Sequence, residues 1–329
     1  MDTVSIIMPV YRVEAWLRRA LDSLVGQTYP HLEIFLVDDG SPDGSGAICD
    51  DYAARYSCVT ALHQTNQGQA SARNHGMRIA KGNWICFVDS DDLIHPQTLQ
   101  LLYDGAVSAD AGICQCRLVE APELTADFFL PAVAETQVLE LDEKTLLQLL
   151  DADEYPGWIA CAKLIRRELI EGYPFREGRV YEDNEAVCRW VCQAGTLAKY
   201  DHELYFYRTN PESTTKSTFS LKKLDYLWAL ESILRFYASL GWMQMRQRFF
   251  ERYVNAVASA CYGVRHELNK PERTKEISAN ARKLFREQGL KLNQEQMELF
   301  LDAAHPKLVK YYWYYAGIRR RIKKLWTKG

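Results

Sequence analysis

The sequence predicts an α/β protein: a mostly parallel sheet with helices on both faces, followed by a helical C-terminal region. Short β-branched runs alternate with helical stretches through the first third, a pitch that suits parallel strands joined by helices. From about residue 221 strand alternation disappears and apolar residues recur at helical spacing. With 329 residues, 47% of them apolar and 25% charged, the chain can bury one large domain plus an appendage, and it is neither disordered nor fibrous.

The elements follow in order. "VSIIMPV" is short, β-branched and closed by proline, which makes it a buried strand. Val13, Trp16, Leu17, Ala20, Leu21 and Leu24 fall at spacings of three and four, one apolar face of a helix ending near Gly26. "LEIFLVDDGS" predicts a second strand over 32–37 closed by acids and glycine. A helix over 45–56, a short strand "VTALH", a helix over 70–80 and a strand entering "WICFVDSDD" complete the alternation.

In open parallel sheets ligands sit at the carboxyl ends of the strands. The first strand ends at Pro9, Val10 and Tyr11, the second at Asp38 and Asp39, and a later one at Asp89, Ser90, Asp91 and Asp92. Five acids and an aromatic ring then share one edge. Crowded carboxylates raise one another's pKa and cost stability unless a cation or donors hold them. Residues two apart on a strand end point the same way, so Asp89 and Asp91 can close on one hard divalent cation, Mn2+ or Mg2+, able to bridge a diphosphate. The competing expectation is that these acids cap the helix starting near 92–96.

The stretches "VSIIMPVYRVEAWLRRALDSLVGQTYPHLEIFLVDDGSPDGS" and "NQGQASARNHGMRIAKGNWICFVDSDDLI" closely resemble the nucleotide-binding half of the inverting family-two glycosyltransferases, over roughly residues 3–110. The resemblance implies the Rossmann-like GT-A fold, a UDP-sugar donor, a divalent metal and a place in bacterial capsular or exopolysaccharide biosynthesis. Tyr11 matches the residue lying against the uracil and Asp39 the acid that accepts from the uracil N–H, with Asp38 beside it. Arg73 matches the arginine near the diphosphate and base. Asp89 and Asp91 match the family's D-x-D, Asp91 being the likelier direct ligand. Gly68 matches a glycine that lets the loop approach the nucleotide.

"GWIACAKLIRRELI" resembles the acceptor-side segment, with Trp158 either stacking on an acceptor sugar or filling the core. "FREGRVYEDNEAVCRW" resembles the family's E-D motif. Inverting transfer needs a base for the acceptor hydroxyl. Asp183 is the first candidate, Glu182 the second, and the alternative is that Asp183 N-caps a helix over 184–192. Arg208, in "YFYRTNPESTT", pairs with phosphate or is structural.

Other signals point elsewhere or nowhere. "DDGSPDGSG" has the spacing of neither the dinucleotide fingerprint nor a P-loop. Cys114 and Cys116 lack a second pair, Cys188 and Cys192 lack histidines, and His202 is a weak candidate for a further metal or phosphate contact. "CRW" matches part of the processive synthases' Q-x-x-R-W, without its glutamine. A net charge of -3 gives no global pull on nucleic acid. Nine scattered cysteines suggest reduced thiols and the cytosol. No leader or membrane-spanning run is expected. Segment 306–329 carries eight lysines and arginines, no acid, four tyrosines and two tryptophans, which suits a helix on an anionic lipid surface at the inner face of the membrane.

The expected organisation is a nucleotide-sugar half over 1–115, an acceptor half with the base over 116–218, a small helical domain over 219–305 and the tail. The expected function is transfer of a sugar from UDP to a saccharide acceptor, lipid-linked in this reading. Two rivals are a nucleotide-sugar-binding module without turnover and a metal-dependent nucleotidyltransferase; the second needs a glycine-rich, lysine-bearing phosphate loop where this chain has "MPVYRVEAW".

Overall fold

The computed structural model describes residues 2–123, 136–154, 156–209, 218–293 and 296. The chain divides into two compact units, Met1–Lys216 and Ser217–Gly329.

The first unit is built on a nine-stranded sheet. Strands β1 (Val4–Val10), β2 (Leu32–Asp38), β3 (Val59–His63) and β4 (Trp84–Phe87) are mutually parallel in the order β3-β2-β1-β4. Every residue of β1 is buried, as a central strand covered on both faces must be. Beyond β4 the sheet becomes mixed. Strand β8 (Lys163–Arg166) runs antiparallel to β4 and to β6 (Ile113–Ala121), while β6 is parallel to the long β9 (Thr196–Arg208). Two short strands, β5 (Leu93–Ile94) and β7 (Thr136–Glu140), pair antiparallel with β9. Strand β6 runs across residues 115 and 116, so one continuous sheet joins the two halves expected from the sequence.

Helices α1 (Glu14–Val25), α2 (Ser45–Arg55) and α3 (Gln69–Ile79) link the parallel strands. The apolar stripe of α1 faces the core, with Leu17, Ala20, Leu21 and Leu24 all buried. Each buried leucine contributes about 1.5–3 kcal/mol of transfer free energy. Helix α3 lies close to β1 because Gly76 has no side chain: a Cβ there would meet Ile7 Cγ2 at 2.7 Å. The unit continues with α4 (Thr98–Ser108), α5 (Glu143–Asp151), α6 (Arg167–Glu171) and α7 (Glu182–Ala194). Trp190 of α7 is fully buried and stacks on Phe87 at 6.1 Å, with Phe175 edge-on to both rings. This aromatic trio fixes α7 against the end of β4.

The second unit is helical, with α8 (Asp225–Leu240), α9 (Met243–Tyr262) and α10 (Glu272–Gln288). Its core contains Leu230, Leu234, Tyr237, Phe249, Phe250 and Tyr253. Gly241 closes α8 in the left-handed conformation, at φ 72°, as a helix-ending glycine does. Segment 306–329 lies outside the described residues. Among the described residues no helix is long and apolar enough to cross a membrane.

Candidate active site

Parallel register sets the site. Val10 pairs with Asp38 and Asp38 with His63, so β1, β2 and β3 end together on one edge, next to the end of β4. Pro9 is a buried member of β1, and Tyr11, just past its end, exposes 46% of its surface. Asp38 and Asp39 are buried by contrast. Asp38 accepts from the Ser41 N–H at 3.0 Å, and its other oxygen meets His63 Nδ1 at 3.1 Å. His63 Nε2 reaches Asp50 at 2.9 Å, and the bonds to Asp50 and then Asp38 raise the His63 pKa against its burial.

Asp39 organises a loop as well as facing the edge. Its Oδ1 accepts from Gln64 Nε2 and from the Gln67 N–H, and its Oδ2 from the Gly68 N–H, all at 2.8 Å. A carboxylate has about four acceptor positions, so Oδ2 retains capacity for another donor. Gly68 is required by its backbone, at φ 91°, and the space in front of it is open: a Cβ would meet nothing within 4 Å.

The acids after β4 sit on a turn and not on an extension of the strand. The strand ends at Phe87, and the Asp92 N–H donates to the Asp89 carbonyl at 3.1 Å. Ser90 belongs to the same turn. Nor do these acids cap a helix, since α4 begins only at Thr98 with Gln97 as its N-cap. Each acid has its own partners. Asp89 Oδ1 accepts from Arg73 Nη2 at 2.9 Å and from Gln69 Nε2 at 3.0 Å. Asp91 Oδ2 accepts from Arg208 Nη2 at 2.7 Å. Asp92 is fully buried, accepting from the Tyr205 hydroxyl at 2.7 Å and the Arg208 N–H at 2.8 Å. Burial, then the charge of Asp89, push its carboxyl up to about 8. Burial and Asp89 also push Asp91 up, against the pull of Arg208.

Arg73 joins this turn to the second carboxylate cluster. Its Nη1 donates to Glu182 Oε1 at 2.9 Å while Nη2 holds Asp89, and its guanidinium lies 5.3 Å from the Phe175 ring centroid. Burial pushes this guanidinium's pKa down, but the charges of Asp89, Glu182 and Asp183 outweigh it and hold the group charged. Helix α7 starts at Glu182, because Tyr181 turns into the left-handed conformation at φ 63°. Asp183 is therefore the second helical residue and not the N-cap. Its Oδ1 accepts from the Asn184 N–H at 2.9 Å. Asp183 lies deep in the site with part of its surface open. Burial and then the charge of Glu182 push its carboxyl up to about 7, opposed by Arg73 and the Asn184 N–H.

The acceptor-side segment meets the base through the backbone. Asn184 Nδ2 donates to the Trp158 carbonyl, and the Trp158 ring is half-buried. Lys163 follows; it is buried, and its ammonium donates to the Ile159 carbonyl at 2.9 Å. Burial lowers its pKa, opposed by Cys161, Cys116 and Asp183. Lys163 was not singled out from the sequence, although a lysine inside the apolar run "CAKLI" is a usable signal. Gln69 and Tyr205 were also missed as members of the cluster. None of the nine cysteines is in a disulfide.

Among the described residues no three His, Cys, Asp or Glu side chains are grouped to hold a metal ion. Asp89 and Asp91 nonetheless fit Mn2+ or Mg2+. Both offer hard oxygens, and Asp91 is still repelled by Asp89 despite Arg208. Mg2+ in particular is commonly held by one or two carboxylates with substrate phosphates completing the shell.

Comparison with known proteins bears on the family and the fold. The model of glycosyl transferase family 2 matches residues 5–173, which contain Asp38, Asp39 and the D-x-D but end before Glu182 and Asp183. An uncharacterized glycosyltransferase of Bacillus subtilis, EpsJ, is 37% identical over 217 residues, 65% of this chain and 63% of EpsJ. The minor teichoic acid biosynthesis protein GgaB of the same organism is 28% identical over 244 residues, covering 72% of this chain and 26% of GgaB. The chain thus spans under two thirds of the length of either relative. Among solved structures, Staphylococcus aureus TarS 1-349 in complex with UDP-GlcNAc superposes with a TM-score of 0.65 at 19% identity, over 88% of this chain and 93% of that one. The mannosyltransferase PcManGT of Pyrobaculum calidifontis, in complex with GDP-Man and Mn2+, gives 0.51 at 17% identity, over 100% and 88% of the two chains. At these identities the likeness concerns the fold, which is GT-A, and the family match carries the assignment: the chain belongs to glycosyl transferase family 2.

Proposed function

We propose that this chain transfers a sugar with inversion from a UDP-sugar to a saccharide acceptor in bacterial cell-surface polysaccharide biosynthesis, using Mn2+ or Mg2+. One observation carries the reading: Arg73 bonds Asp89 with one arm and Glu182 with the other, so the acids suited to a metal diphosphate and the carboxylate pair suited to base catalysis form one cluster. The TarS complex with UDP-GlcNAc and the teichoic acid role in GgaB's name support the donor and polymer classes.

In this reading the exposed Tyr11 ring stacks on uracil, and the remaining acceptor position of Asp39 takes the uracil N–H. Asp38 holds the Ser41 end of the same loop, and Gly68 leaves room for the nucleotide. Asp89 and Asp91, with Ser90 between them, face the diphosphate; a divalent ion bound there neutralises charge on the leaving group. Asp183 takes the proton from the acceptor hydroxyl as that oxygen attacks the anomeric carbon from the face opposite the departing diphosphate. A carboxyl near 7 is well matched to that task, because it is substantially ionised yet still basic. Glu182 is the weaker base, since Arg73 already holds its carboxylate; its part is to position Arg73 and to raise Asp183. In this reading the Trp158 ring stacks on an acceptor sugar. The acceptor is lipid-linked in this reading, with 306–329 holding the chain on the inner face of the membrane.

Asp183→Asn tests the assignment. Binding of UDP should stay within about twofold while transfer falls by about two to four orders of magnitude, the usual scale of general-base catalysis. Full transfer activity in that variant would move the base elsewhere.

A further inference from the structure

Two arginines serve the two acids of the D-x-D, and they are not equivalent. Both terminal nitrogens of Arg73 are bonded to carboxylates, and its Nε, like that of Arg208, is buried with no partner among the described residues. The difference is that Arg73 holds two carboxylates and Arg208 one, from Nη2 to Asp91. Its side chain is only 11% exposed and lies over the Trp16 ring at 4.2 Å. A buried guanidinium with a donor to spare is incompletely satisfied, and an unmet buried donor costs free energy. The backbone beneath is firm: the Arg208 N–H donates to Asp92, which the Tyr205 hydroxyl holds in turn.

We propose that Arg208 is an internal counter-cation for Asp91 that changes partners when the metal diphosphate arrives. In the empty site it neutralises the carboxylate that would otherwise bind a bare divalent ion. With nucleotide present, the diphosphate oxygens offer the planar guanidinium better partners than one carboxylate does, and Asp91 is released to the ion. The exchange needs only a side-chain rotation across the Trp16 face, with the strand fixed. Metal and nucleotide then bind with positive coupling, and the coupling is reciprocal: each raises the other's affinity by the same factor. The chain avoids loading metal without donor. This inference rests on the proposed metal–diphosphate reading of Asp89 and Asp91.

The test measures Mn2+ binding by electron paramagnetic resonance, with and without UDP, in the wild type, Arg208→Gln, Trp16→Leu and Asp91→Asn, each checked for folding by thermal melt. Wild type should bind bare Mn2+ weakly and gain about tenfold or more with UDP, within the usual range of coupling factors. Arg208→Gln should bind bare Mn2+ more tightly by a similar factor and lose most of the gain from UDP. Trp16→Leu, which removes the platform but keeps the charge, should shift in the same direction by less, and it carries the test should Arg208→Gln fail to fold. Equal bare-Mn2+ affinity in wild type, Arg208→Gln and Trp16→Leu, with Asp91→Asn still abolishing Mn2+-dependent UDP binding, overturns the exchange but leaves the metal reading standing. Unaltered Mn2+ binding in Asp91→Asn overturns both.

Discussion

The donor edge and the base side of this site are built in different ways. At the donor edge Asp39 is held largely by nearby backbone: the Gln67 and Gly68 N–H groups, on a loop that register places beside β2. At the base side and the D-x-D turn, Glu182 and Asp91 are instead held by side chains far away in sequence, with Arg73 and Glu182 separated by 109 positions and Arg208 and Asp91 by 117. The backbone-held site is fixed once β2 and β3 pair. A charge-held site depends on the whole sheet closing correctly, and the charges that assemble it also shift the pKa of its base.

The largest expected effect of this difference is kinetic. Because burial and Glu182 hold the Asp183 carboxyl near 7, the transfer rate should rise as pH increases through about 7 and level off above it. The same shift has a stability cost. The group ionises near 3.8 when unfolded and about 7 when folded, so the folded chain holds the proton more tightly, and stability falls as pH rises across that window. Asp183→Asn should therefore flatten both the pH–rate profile and the matching part of the stability curve; a variant that loses activity but keeps the stability slope would show that the shift belongs to another group.

Next in size is Arg73→Met. It leaves the carboxylates of Asp89 and Glu182 without their shared cation, and breaking a buried ion pair costs about 3–5 kcal/mol. Denaturant unfolding reads the loss directly. Arg73→Lys should recover only part of it, because one ammonium cannot reproduce the two-armed bond. A loss under about 1 kcal/mol for Arg73→Met would mean the cluster does not hold α7 in place.

Asp39→Asn should be smaller and should act on the donor. The new NH2 faces backbone donors, at a cost of about 1–3 kcal/mol, and UDP affinity should drop without a change in the pH–rate profile. Were the pH–rate profile to move as well, the two sides of the site would not be separable.

The smaller effects concern His63 and the tail. His63 is raised by Asp50 and Asp38, so its stabilising charge is fully present below its unfolded value of 6.5 and is lost as pH rises through the higher folded value. Its side chain is 47% exposed, so solvent screening keeps the effect modest. His63→Gln should weaken UDP binding slightly at pH 6 and hardly at pH 8. Removing 306–329 should reduce binding to anionic vesicles in low salt while leaving UDP affinity alone; unchanged partitioning would count against a membrane role for that segment.

The same contrast explains what could be read in advance. Strands β1 to β4 and helices α1 to α3 were legible because their signals are local: β-branched runs, three-and-four spacing, and glycines at turns. The donor-edge residues follow, since strand ends place them. The turn at 89–92 was mistaken for a strand extension, because alternation in "VDSDD" does not reveal that the Asp92 N–H folds back onto Asp89. The start of α7 at Glu182 depends on the left-handed Tyr181, which no propensity marks. Lys163 and Tyr205 were illegible because their meaning lies in contacts across β8, β9 and the turn, and the buried bonds of Asp92 to Tyr205 and Arg208 were hidden for the same reason. Arg208 was found by resemblance, but its pairing with Asp91 was not.

The most direct test of the central claim is calorimetric titration of UDP and a panel of UDP-sugars into the protein with manganese and then with chelator. The expected result is manganese-dependent binding that chelator abolishes and Asp91→Asn removes, with one sugar preferred. Absence of binding by any uridine nucleotide, with manganese present, would contradict it and withdraw the roles given to Tyr11, Asp39 and the D-x-D.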